Sequence, residues 1–151
     1  MKLLLTLVLF VAALAGGCAK HDHEKPAAGG HVHRAPHGGV LVELGEHAYN
    51  LEFVREPETG KLSAYVLDGH AENFIRIKAA SFDIVANVGA EKRPLTFKAV
   101  ANTATGETVG DTSQFDADGA WVKTAPAFDG VVVALDVRGS KFANVPFSLK
   151  K

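Results

Sequence analysis

The sequence predicts an all-β fold: a single β-sandwich, immunoglobulin-like or similar, or a small barrel, with about eight or nine short strands. Three observations predict it. From Gly38 to Lys151 apolar side chains alternate with polar ones at period 2. Gly, Pro, Asn and Asp break that alternation at intervals of roughly 8–12 residues. No stretch beyond the first 18 residues carries a convincing helical period.

The elements follow in order. Val40–Leu44 opens the domain and Gly45-Glu46 turns it. In 47–55, Tyr49, Leu51 and Phe53 share one face and Asn50 and Glu52 take the other. Pro57-Glu58-Thr59-Gly60 is a turn, Pro fixing φ and Gly supplying a positive one. Residues 61–67 return as the second arm of a hairpin, and Asp68-Gly69-His70 makes the next corner. Strands are predicted at 74–78 and 81–88. Pro94 lacks an N–H, so the strand after it starts just beyond Pro94 or lies at an edge. Residues 102–119 are looser, with Phe115 and Trp121 as apolar anchors. The run Val131-Val132-Val133-Ala134-Leu135 within 128–137 suits a central strand. Arg138 to Lys141 is a tight turn, and 142–149 closes the domain. Trp121, Phe97 and Phe115 are expected in the core.

The N-terminus reads differently. One positive charge at Lys2 precedes an almost unbroken apolar run, Leu3 to Leu14. A mature span of a bilayer needs about 20 such residues, so the run fits a secretory signal. Small residues lead from it into Cys18, the only cysteine of the chain. Leu14-Ala15-Gly16-Gly17-Cys18 resembles the bacterial lipobox, although Ala15 stands where that motif most often has Leu. The resemblance implies a signal peptide over 1–17 and a palmitate-bearing lipid anchor on Cys18. Ala19 in place of Asp implies the outer membrane, facing the periplasm.

Residues 18–38 form the predicted tether, and 39–151 the domain. The tether holds Pro26, Pro36, Gly29 and Gly30 and shows no apolar periodicity, so it cannot bury enough surface to offset its ordering entropy. It also holds five of the chain's seven histidines: His21, His23, His31, His33 and His37. Two pairs are His-x-His. Neutral imidazole is a favoured ligand for Zn, Cu and Ni, and a flexible chain closes most easily around near neighbours.

Two clusters on the domain side could add to that chemistry. Pro36-His37-Gly38-Gly39 joins tether to first strand, and Asp68-Gly69-His70-Ala71-Glu72 presents His70 between two carboxylates. The candidate metal ligands are therefore His21, His23, His31, His33, His37 and His70. His47, at the start of the second strand, reads as an ordinary turn residue.

The remaining composition removes alternatives. With 16 Lys and Arg against 17 Asp and Glu, the net charge of -1 leaves no basic excess for nucleic acid. One cysteine forms no intramolecular disulfide. No serine sits in Gly-x-Ser-x-Gly, and no phosphate-binding loop precedes a helix, so a non-enzyme without organic cofactor is expected.

The stretch PHGGVLVELGEHAYNLEFVREPETGKLSAYVLDGHAE, with TGETVGDTSQF further on, is similar to small His-rich bacterial lipoproteins. LDGHAE and GDTSQF are the most specific parts. The opening His37-Gly38-Gly39 also resembles N-terminal segments of periplasmic adaptor subunits of heavy-metal efflux systems. The resemblance implies a metal-related role outside the cytoplasm, and an efflux or envelope protein as partner. The expectation is a lipid-anchored extracytoplasmic protein that binds Cu, Zn or Ni in buffering or resistance. The alternative is a non-catalytic envelope lipoprotein whose domain docks another protein.

Overall fold

The computed structural model describes residues 33–150. The signal segment, Cys18, His21, His23 and His31 lie outside the described residues.

The alternation resolves into eight strands and one short helix. They are β1 (Val40–Leu44), β2 (Tyr49–Glu56), β3 (Lys61–Asp68), β4 (Ser81–Val88), β5 (Glu91–Ala99), β6 (Gln114–Asp118), α1 (Ala120–Thr124), β7 (Phe128–Val137) and β8 (Ser140–Leu149). All eight strands belong to one antiparallel sheet in the order β1-β2-β3-β6-β5-β4-β7-β8. The described residues thus form an all-β single domain. The sheet rolls until its first and last strands approach, which makes a nearly closed barrel. Ladder pairing stops at β1 and β8, so a seam remains between them.

Period 2 places one face of every strand inside the roll. Val42, Leu44, Leu51, Phe53, Leu62, Ala64 and Val66 line it from β1 to β3. Phe82, Ile84, Phe97, Phe115, Val132 and Phe147 complete it from the other strands. The aromatic rings interlock: Phe82 stacks on Phe97 with centroids 4.8 Å apart, and Phe53 reaches Phe147 across the barrel at 4.9 Å. Trp121 is half-buried and packs its ring edge-on against Phe128 at 4.9 Å.

Three elements differ from expectation, each for a local reason. The segment 74–78 is not a strand. It makes only single bridges, Leu67 to Phe74 and Ile77 to Thr112, while Ile75 and Ile77 point into the core. A short helix, α1, occupies 120–124, too short for a 3.6 period to be read. Pro94 lies inside β5, opposite Val85 of β4. That is tolerated because β6 pairs with β5 only at Lys98 and Ala99, so Pro94 faces no ladder on its second side.

The outer face of β2 and β3 is also covered. Asn50, Glu52 and Ser63 are buried although they alternate with core residues. The cover includes residues 33–39, most of which the sequence assigns to the tether. This cover positions the candidate site.

Candidate functional site

The His-Gly-Gly junction is a clamp. Glu52 is wholly buried and accepts three hydrogen bonds from it. The backbone N–H groups of His37 and Gly39 donate to Oε1 at 2.8 and 2.9 Å. His37 Nδ1 lies 2.9 Å from Oε2. The buried carboxylate is thereby satisfied, as a buried charge must be. With Glu52 as acceptor, Nδ1 of His37 is the donor, which turns Nε2 away from the carboxylate. Gly39 is required here, because a Cβ on it would sit 2.3 Å from the Phe53 carbonyl oxygen. The His37 ring stacks on Tyr65 at 3.9 Å, and Phe74 stands beside both rings, 5.5 Å from His37 and 6.1 Å from Tyr65. Burial, then the nearby Asp116 carboxylate, holds the Tyr65 phenol above its ordinary range, so it remains neutral under His37.

The second corner, at the end of β3, is built from the same residue types and does something else. Asn50 is buried on β2 and donates through Nδ2 to the carbonyls of Asp68 and Gly69 at 3.0 and 3.1 Å. The Asp68 carboxylate accepts from Asn73 Nδ2 and from the Glu72 N–H. These bonds, the Asn73 side chain foremost, hold its pKa below the ordinary value. Ala71 donates its N–H back to the Asp68 carbonyl and adopts a left-handed φ of 58°. The corner is thus fixed by its own hydrogen bonds, and the His70 ring is left exposed.

The turn between β1 and β2 closes against this corner. A Cβ on Gly69 would lie 2.0 Å from the His47 carbonyl oxygen, so only glycine permits the approach. His47 has a left-handed φ of 57°, and its N–H donates to Glu43 and to the Gly45 carbonyl. The β2–β3 register pairs Tyr49 with Asp68. His47 lies two residues before that pair and His70 two residues after it, so both stand at the open end of the hairpin.

His33 completes the group. Its Nδ1 lies 3.1 Å from the His70 carbonyl oxygen. Its ring centroid is 5.8 Å from that of His70 and 6.2 Å from that of His47. The structure therefore gathers His33, His47 and His70 and directs His37 to Glu52. Three strand positions, about 10 Å, separate Tyr65 beneath His37 from Asp68 at the corner. Among the described residues, no three His, Cys, Asp or Glu side chains already converge as ligands on one point. His47 is the member that the sequence reading passed over. The signal was there in the hairpin: the tight turn at 57–60 sets two arms whose open end carries both His47 and His70.

A cleft of about 550 Å³ opens beside the His37-Gly38-Gly39 clamp, between the start of β1, the end of β8 and the segment after α1. Arg55 lines it, but its guanidinium is already held by the carbonyls of Val122 and Pro126. Glu107 forms a further carboxylate clamp on the 102–113 loop. Burial opposes its ionisation, yet the Ser113 and Thr105 hydroxyls, the Ser113 N–H and Arg76 outweigh that and hold its pKa below the ordinary value.

Compared with protein-family models, with curated proteins and with solved structures, the chain matches none.

Proposed function

We propose that the protein is a lipid-anchored extracytoplasmic metal binder that takes a divalent Cu, Zn or Ni ion through its histidines, in metal buffering or resistance. The observation that carries this reading is the meeting of tether and domain at one place, His33 against His70. The crowding of five histidines between positions 21 and 37 supports it, because imidazoles at that density raise the local ligand concentration. The signal-like N-terminus and Cys18 support the location, where free transition metals can be met. His21, His23 and His31 then act as capture ligands, and the domain corner as a firmer seat. His37 contributes less as a ligand, since its Nδ1 is held by Glu52 and one ring face by Tyr65.

Calorimetric titration of the full mature chain in detergent with Zn and with Cu tests the reading. Binding tighter than about 10 μM is expected, and its absence overturns the proposal. Affinity should fall as pH drops through about 6.5, where imidazole protonates, and a flat response would exclude histidine ligands. Labelled palmitate should enter the wild-type protein and not Cys18→Ser.

A further inference from the structure

We propose that His33, His47 and His70 form a three-imidazole site for one divalent first-row cation of the zinc type, at the corner where the β1–β2 turn meets the end of β3. The proposal rests on the metal-binding reading and names a seat for the ion within the domain.

Three features carry it. The first is placement. His47 and His70 stand in the two turns at the open end of one hairpin, two residues beyond the pair Tyr49 and Asp68, and the His33 ring lies near both. The second is rigidity. Gly69 packs against the His47 carbonyl, and Asn50 ties down the carbonyls of Asp68 and Gly69. His47 and Ala71 are held in left-handed conformations that free chains avoid. The backbone that carries two of the three rings is therefore set before any ion arrives.

The third is ring orientation. A metal-bound histidine usually donates its second ring N–H to a carbonyl or carboxylate, which fixes the tautomer and aims the lone pair. His33 Nδ1 lies 3.1 Å from the His70 carbonyl oxygen, which leaves its Nε2 for a ligand. His47 Nδ1 stands 3.6 Å from Glu43 Oε2, beyond hydrogen-bond length, so a small ring rotation decides which of its nitrogens is offered. A tetrahedral ion with metal–nitrogen bonds of about 2.0–2.1 Å sets imidazole centroids about 5 Å apart. His33 stands 5.8 Å from His70 and 6.2 Å from His47, so closure needs the rings to rotate toward one ion. Three neutral nitrogens leave a fourth position for water or a further ligand.

The test uses the full mature chain carrying His21→Ala, His23→Ala and His31→Ala, titrated with Co(II) and then Zn(II). One equivalent of Co(II) should give the visible absorption of a tetrahedral site, and Zn(II) should displace it. His33→Ala, His47→Ala and His70→Ala should each weaken binding at least tenfold. His47→Asn, which tolerates a left-handed φ, keeps the turn should the alanine variant unfold. Nitrogen-15 spectra should show metal-induced shifts at a ring nitrogen of each of these three histidines. Undiminished binding in His47→Asn overturns the three-imidazole site. If the unaltered chain binds metal and the triple-alanine background does not, this site falls and the general reading stands. If neither binds, both fall.

Discussion

His37-Gly38-Gly39 and Asp68-Gly69-His70 are built from nearly the same parts, yet they put their imidazoles to opposite uses. At the first, a buried carboxylate on β2 takes both backbone N–H groups and the ring nitrogen, and the histidine becomes a fastening. At the second, the carboxylate of Asp68 is used up by Glu72 and Asn73, and the histidine is left to face outward. The difference lies in where the acid stands. Glu52 comes from a neighbouring strand and reaches the ring from below, whereas Asp68 precedes its glycine and closes its own turn. A histidine beside a glycine therefore has no fixed role. The nearest acceptor on an adjacent strand decides it.

The two glycines give the sharpest way to break the comparison. Gly39→Ala and Gly69→Ala each drive a methyl into a backbone carbonyl, at 2.3 and 2.0 Å. Each should lower unfolding free energy by about 3 kcal/mol in a denaturant titration, the upper range for overpacking. Only Gly69→Ala should also weaken zinc binding at the proposed three-histidine site, by tenfold or more. Equal zinc affinity in the two variants would show that the corners do not differ in this way.

Glu52→Ala should come next, at about 2 kcal/mol, since it leaves the donors of His37 and Gly39 without a partner in a buried place. His37→Ala should cost less, because the carboxylate keeps its two backbone donors. A thermal melt of both variants checks the order, and the reverse order would mean that the stack on Tyr65 outweighs the clamp.

The smallest effect belongs to acid. Glu107 and Asp68 both have folded pKa values below their ordinary ones. Their contribution to stability is full above the ordinary carboxylate range and is lost as pH falls through the lowered folded values. Stability should be level from about pH 6 to 8 with respect to these groups and decline below about pH 4. Hydrogen exchange in the 102–113 loop should quicken first, where Glu107 holds Ser113 and Thr105. Faster exchange at the Asp68 corner ahead of that loop would contradict it.

Much of the fold was legible because period 2 survives wherever one face is buried. The bounds of β1, β4 and β7 are read directly from Val40–Leu44, Ser81–Val88 and Phe128–Val137. Phe97 and Phe115 are core for the same reason. What failed depended on partners distant in sequence. Asn50 and Glu52 alternate with core residues and look solvated, but residues 33–39 cover Glu52. Ile75 and Ile77 suggest a strand, yet no neighbour is placed to pair with them beyond single bridges. Of the candidate ligands, His33 and His70 do meet, while His37 is drawn off by an acid 15 positions away. His47 could have been found by following the hairpin to its open end, since that step needs only the turn and the alternation.

The seam between β1 and β8 gives the Glu52 clamp a mechanical meaning. β1 has a ladder partner on one side only, and the N-terminal chain leaves from its free start. A pull on that chain would otherwise unzip β1 from β2 one bond at a time, beginning at Val40 and Phe53. Glu52 stands just ahead of that point and grips the chain at two backbone nitrogens and a ring. Load from the N-terminus meets those three bonds together before it reaches the strand, much as a cleat takes the strain off a seam.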